Sequence, residues 1–259
     1  MPSVECPVVY LISDSVRASA REVHDQIRSC FPVQLIAPVF PEASVLSATD
    51  LVDVAAFNAR HFRNPLLGEI GCALAHLNVY SAFRGSQCPW ALVLEDDVVI
   101  ADVANFERRI LELARNLPQD LPVIVNLNTQ AATRTQFSRS YQIEGIWCPA
   151  VSTYTTSSYL LNQRAADLLR ERQSPISSQA DWPISSHEVL FLQESYALIA
   201  PSVLEPSRVD PEGSRASFSL KNRLQMWSGV WYARHRRHFQ GFGDYWQSVL
   251  KRRIYRHIY

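Results

Sequence analysis

The chain has 259 residues, 47% of them apolar, which suits one sizeable domain, with or without a short appendage, and argues against intrinsic disorder. Its formal charge is zero but unevenly placed: from Leu220 onward nine Lys or Arg stand against one acid, Asp244, whereas Met1 to Ser219 carries 16 basic and 24 acidic residues, a formal −8. The five cysteines, Cys6, Cys30, Cys72, Cys88 and Cys148, are odd in number, widely spaced and without a C-x-x-C pair, which argues against a disulfide framework or a zinc site.

Val8 to Ile12 is a short β-rich apolar run that stops at Ser13-Asp14-Ser15, a turn and helix cap. Val16, Ala20, Val23 and Ile27 then recur at helical spacing, and Pro32 precedes a second strand-like run, Val33 to Ala37. A weaker helical pattern covers about Thr49 to Phe57. A stronger one follows Pro65, with Ile70, Ala73, Leu74, Leu77 and Tyr80 on one face and Gly85 as its stop. Trp90 to Leu94 reads as a strand buried on both faces. From Asp102 a helix with Phe106, Ile110, Leu113 and Leu117 runs to Pro118, and Val123 to Leu127 forms a further strand. Beyond Asn128 come polar loops, short β-like pieces and a helix near Asn162 to Arg172. Strands alternating with helices predict an α/β sandwich with a largely parallel sheet.

Glu95, Asp96 and Asp97 directly follow the buried strand. In an extended segment Glu95 and Asp97 point one way and Asp96 the other, so the first and third carboxylates can converge on one hard cation. Ligands of open α/β sheets collect beyond the carboxyl ends of the strands, where these acids fall. A solvated acidic turn, or an acid capping the next helix, is the alternative and stands about even for the triplet alone.

About twenty residues upstream is Gly68-Glu69-Ile70-Gly71-Cys72-Ala73-Leu74-Ala75-His76. Glycines favour close backbone approach at a helix start, Glu69 suits the positive end of the helix, and His76 lies two turns further on. Taken singly each has an ordinary structural explanation, and for His76 a satisfied buried polar group is preferred.

Together and in this order, Gly-Glu-Ile-Gly-Cys-Ala-Leu-Ala-His and Ala-Leu-Val-Leu-Glu-Asp-Asp resemble glycosyltransferase family 25, the lipooligosaccharide and collagen galactosyltransferase group. Val9 to Ser13 followed by Arg17 is similar to that family's first strand and Arg-bearing turn. Ser157 to Leu161, Ala165 to Leu169 and Asp181-Trp182 resemble its later strand, helix and downstream acid. Ala75 stands where the family often has Ser. The resemblance spans about Val8 to Ser207 and leaves the basic tail uncovered.

It implies a GT-A-like Rossmann-type fold, a UDP-sugar donor, with UDP-galactose the first choice, a Mn²⁺ cofactor and inversion at the anomeric carbon. On that reading Asp97 is the first metal ligand, with Glu95 sharing the metal or reaching the ribose. Arg17, Gly68, Glu69, Gly71, His76, Glu95 and Asp96 form the donor site. Asp181 is the first candidate for the base and Glu188 the second. His187 is a candidate second metal ligand, with an exposed polar loop residue as the preferred alternative. The loop Thr129 to Ser140, with Arg134 and Arg139, is a candidate to close over the donor phosphates, the alternative being an ordinary surface loop.

The acceptor implied is a saccharide of lipopolysaccharide or lipooligosaccharide. Residues 220–259, read as a helical extension to a 1–219 catalytic domain, interleave Trp227, Trp231, Phe239 and Trp246 with Arg234, Arg236 and Lys251. That mixture suits an anionic membrane surface, ahead of nucleic acid, unless Trp227 and Trp231 pack on the body. With neither a leader nor about 18 uninterrupted apolar residues, the expected location is cytoplasmic, peripheral on the cytoplasmic face of the inner membrane. Two rival functions remain: a catalytically silent sugar-nucleotide or glycan-binding module, and a protein that docks to membrane or nucleic acid through the tail. No G-x-S-x-G, H-E-x-x-H, Walker or Rossmann glycine motif is present, which weakens hydrolase, protease, NTPase and dehydrogenase readings.

Overall fold

The computed structural model describes residues 6–14, 18–128, 132–135, 142–147, 156–180, 183–184, 188–194, 196, 198–201 and 255–258. In chain order β1 (Val8–Ile12) leads through α1 (Ala18–Ile27) to β2 (Val33–Ile36), followed by α2 (Val54–His61) and α3 (Leu67–Arg84). Next come β3 (Trp90–Glu95), β4 (Val98–Ile100), α4 (Val103–Asn116), β5 (Val123–Asn126), β6 (Ala132–Thr135) and β7 (Ile146–Trp147). Then β8 (Ser158–Asn162), α5 (Gln163–Arg172), β9 (Leu190–Glu194), β10 (Ile199–Pro201) and β11 (Tyr255–Ile258) complete the described elements.

Seven strands form the central sheet in the order β2-β1-β3-β8-β5-β9-β7. β1 pairs in parallel with β2 and β3, and β5 with β9, whereas β8 runs antiparallel to both β3 and β5, and β7 antiparallel to β9. Five strands therefore share one direction, as expected of a mostly parallel sheet. The reversed β8 brings residues 156–158 to the edge where β1, β3 and β5 end.

Alternation along the strands builds two cores, because successive side chains leave opposite faces. Val9, Leu11, Leu92 and Leu94 pack with Val23 and Ile27 of α1 and with Phe106, Ile110 and Leu113 of α4. Tyr10, Ala91 and Val93 pack on the other side with Val79 and Phe83 of α3 and with Ala165 and Leu169 of α5. The result is an α/β/α sandwich. β3 lies inside the sheet, and its first five residues are all buried, while the edge strand β2 buries none of its four fully.

Helix starts follow local chemistry. Asp53 accepts from Ala56 N at 2.8 Å, Asp102 from Asn105 N at 3.0 Å and Asn162 from Ala165 N at 3.0 Å, each satisfying a backbone donor that the helix leaves open. The Asp53 cap starts α2 at Val54, so the helix expected over Thr49 to Phe57 lies further along the chain. α3 is buried on more sides than one stripe predicts: Ile70 and Ala73 meet Val52 and Ile176, while Ala75, Val79, Tyr80 and Phe83 meet the sheet.

Arg109 and Glu194 form a buried pair, with Nε 2.6 Å from Oε2, which ties α4 to the end of β9. The Arg109 guanidinium also reaches Glu112 at 2.9 Å and the Glu144 carbonyl, so its charge is shared among several acceptors. Two short ladders lie apart from the main sheet, β10 against β4 and β11 against β6, both antiparallel. Of the extension expected to be helical, residues 255–258 form strand β11, and the others lie outside the described residues.

Candidate active site

β1, β3 and β5 end at one edge of the sheet, and β8 begins there. Glu95 closes β3, and Asp96 and Asp97 form the turn into β4. The turn corrects the extended geometry expected for the triplet, because strand alternation stops at Glu95. Glu95 meets the α3 side, where Oε1 lies 3.2 Å from His76 Nε2 and accepts from Thr156 Oγ1 at 3.4 Å. Asp96 instead turns to the end of β1, accepting from Ser13 Oγ at 3.2 Å. All three acids are half-buried, and one oxygen of Asp97, Oδ1, is fully covered.

His76 is held from both sides. Its Nδ1 lies 2.7 Å from the Tyr159 hydroxyl, which lies 3.0 Å from that of Tyr80. Burial pushes both phenols well above their ordinary pKa, so they remain neutral. The Glu95 backbone is fixed too, its N–H donating to the Ser157 carbonyl at 2.8 Å. His76 is thus a buried polar group with a partner on each ring nitrogen, one of them the first acid of the triplet.

The start of α3 sets where His76 stands. A Cβ on Gly71 would come 2.2 Å from the Val39 carbonyl oxygen, so any larger residue would push α3 off the segment after β2. Glu69 accepts from Leu66 N at 2.9 Å and from Arg63 Nη1 at 2.7 Å, and also meets Arg63 Nη2 and Gln179. Burial acts to raise its pKa, but the bonds from Arg63, Leu66 and Gln179 outweigh it and hold the carboxyl below the ordinary range. Gly68 lies in the same first turn.

Several residues at this edge escaped the sequence reading. Asn126 Nδ2 donates to Gln193 Oε1 at 3.1 Å, Gln193 Nε2 donates to the Asn126 carbonyl at 3.2 Å, and Asn128 Nδ2 donates to Ser157 Oγ at 3.2 Å. This buried network fixes the end of β5 beside the residues that hold Glu95. Its signal was two asparagines, i and i+2, closing an otherwise apolar strand. Cys72 runs against the expectation that the cysteines form no metal cluster. With His76 and Glu95 it offers ligand atoms within 4.8 Å of one another, and the signal was a Cys four residues before a His on one helix face.

Glu188 stands two residues before the amino end of β9, where that strand pairs with Val123, and its carboxylate meets Arg172 in the last turn of α5. Glu95, by contrast, ends β3 at the carboxyl edge. Arg17, Asp181, His187 and Arg139 lie outside the described residues, and Arg134 lies on β6.

Glu95, Asp96 and Asp97 offer only oxygen ligands, the type a hard divalent cation takes, while the turn sends Glu95 and Asp96 to different neighbours. No helix among the described residues is long and apolar enough to cross a membrane.

The sequence model of glycosyltransferase family 25 (LPS biosynthesis protein) matches residues 53–184, which include α3, the acidic turn, β8 and α5. No curated protein matches the chain significantly. Among solved structures, the chain is similar to a glycosyltransferase involved in glycosylation of the major capsid of PBCV-1, at 11% identity and a TM-score of 0.35, covering 65% of this chain and 66% of that one, just under two thirds. It is also similar to the galactosyltransferase LgtC in complex with donor and acceptor sugar analogs, at 12% identity and a TM-score of 0.34, covering 71% and 72%. For mouse xyloside xylosyltransferase 1 the values are 15%, 0.26, 66% and 56%.

Proposed function

Because this chain belongs to glycosyltransferase family 25, the LPS biosynthesis proteins, we propose that it transfers galactose from UDP-galactose, with inversion and with Mn²⁺, to a saccharide of a lipopolysaccharide or lipooligosaccharide acceptor. The observation that carries the reading is the acidic turn at the carboxyl edge of the sheet, with Glu95 against His76 and Asp96 against Ser13. In a GT-A-like use of that edge the nucleotide would lie over β1, with the acids beneath the diphosphate.

In this scheme an acceptor hydroxyl attacks the anomeric carbon as the bond to the diphosphate oxygen breaks, and UDP departs with the electron pair. The hydroxyl proton passes to a carboxylate, and Asp181 is the base we assign, because Glu188 sits before the other end of β9. Asp97 and Glu95 would hold Mn²⁺, which when bound neutralises charge on the leaving diphosphate. Asp96 and Arg17 contact the donor. Gly68, Glu69 and Gly71 act by seating α3, and His76 orients the Glu95 carboxylate.

Release of UDP from a panel of UDP-sugars, with Mn²⁺ and a lipooligosaccharide acceptor, tests the donor assignment. UDP-galactose should turn over fastest with a product of inverted anomeric configuration by proton NMR. A faster competing donor, or retained configuration, contradicts it.

The basic aromatic tail fits docking at an anionic membrane surface, which gives the enzyme a peripheral location beside a lipid-borne acceptor. The full chain should sediment with anionic liposomes in low salt, and a chain ending at Ser219 should not. Equal sedimentation of both rejects that role.

A further inference from the structure

We propose that Cys72, His76 and Glu95 form a site for a soft divalent cation of the Zn²⁺ class, separate in chemistry from the hard cation assigned to the acidic turn. Cys72 and His76 lie four residues apart on α3, so they share a face, and Glu95 enters from the end of β3. Their candidate ligand atoms lie within 4.8 Å of one another. Tetrahedral Zn²⁺ with one sulfur, one nitrogen and one oxygen ligand needs separations of about 3.3–3.7 Å, so a small inward movement closes the set. His76 Nε2 and Glu95 Oε1, at 3.2 Å, are already close to that spacing.

The surroundings prepare the histidine for this task. A metal-bound imidazole usually gives its other N–H to an outer acceptor, and here Nδ1 lies 2.7 Å from a phenol that burial keeps neutral. With that proton on Nδ1, the Nε2 lone pair faces the Glu95 carboxylate, an arrangement that a cation between them stabilises. Without the cation, a proton on Nε2 can serve the same contact. A thiolate and an imidazole favour Zn²⁺ over Mn²⁺ or Mg²⁺, and three protein ligands leave a fourth position open. Cys72 is not in a disulfide.

Glu95 also belongs to the proposed donor site, so a soft cation held here withdraws it from the donor. This consequence, unlike the site itself, rests on the transferase reading.

Titration of the full chain with Co²⁺ tests the site directly. One equivalent should give the charge-transfer band of a cobalt–thiolate bond, and Zn²⁺ should displace it. Cys72→Ser, which keeps the shape of the side chain, should lose the band, while Cys30→Ala and Asp97→Ala keep it. Tyr159→Phe should bind at least about tenfold more weakly. Absence of the band, or its survival in Cys72→Ser, overturns the site. In the UDP-release assay Zn²⁺ should inhibit the unmodified chain and spare Cys72→Ser, and equal inhibition of both overturns the competition. A chain that turns over no donor refutes the transferase reading while the cobalt titration still decides the site.

Discussion

The first turn of α3 and the end of β3 each present a glutamate that the sequence marks as part of one donor site, and the fold holds them in opposite ways. Glu69 is saturated by Arg63, Gln179 and the Leu66 N–H, with its pKa held down. Glu95 is half-buried and touched at 3.2 Å by a histidine and at 3.4 Å by a threonine. A carboxylate whose lone pairs are filled by fixed donors stabilises the backbone that carries it. One held by two long contacts can exchange them for a cation or a nucleotide.

Paired substitutions sharpen that contrast. Glu95→Gln should lower UDP release on the order of 10²-fold, as loss of a charged group aimed at the reacting centre does, while the urea midpoint moves little. Glu69→Gln should do the reverse, costing about 1–3 kcal/mol of stability by leaving Arg63 without its charged acceptor, with a smaller effect on turnover. Acid adds a weaker effect of the same kind. Because the folded pKa of Glu69 is depressed, its contribution is complete above the ordinary carboxylate range, near about pH 4.3, and is lost as pH falls through the lowered folded value. The stability gap between the unmodified chain and Glu69→Gln should therefore shrink on acidification. Similar activity losses in both variants with no difference in stability would break the distinction.

Much of this fold was legible because burial imposes period on sequence. The apolar runs at Val8, Trp90 and Val123 became β1, β3 and β5, and the spacing of Phe106, Ile110 and Leu113 became α4. The start of α2 was misplaced because the Asp53 cap competed with a weak apolar pattern. The reversed β8 was not legible, since direction depends on where a long connection returns and not on the strand's composition. At the candidate site, the cluster of acids Glu95-Asp96-Asp97 was legible at the end of its strand but its geometry was not. The chain turns at Asp96 and Asp97 instead of running on as a straight strand, with Glu95 against His76 and Asp96 against Ser13. Tyr159 and Ser13 reach their partners across 83 residues of chain, a contact that only tertiary packing creates.

UDP release from UDP-galactose by the full chain and by Asp97→Ala, each with and without Mn²⁺, tests whether the acidic turn binds metal for sugar transfer. Release by the unmodified chain should depend on the metal, and the variant should fall on the order of 10²–10³-fold. No metal-dependent release by the unmodified chain, or equal release by the two, would contradict that role.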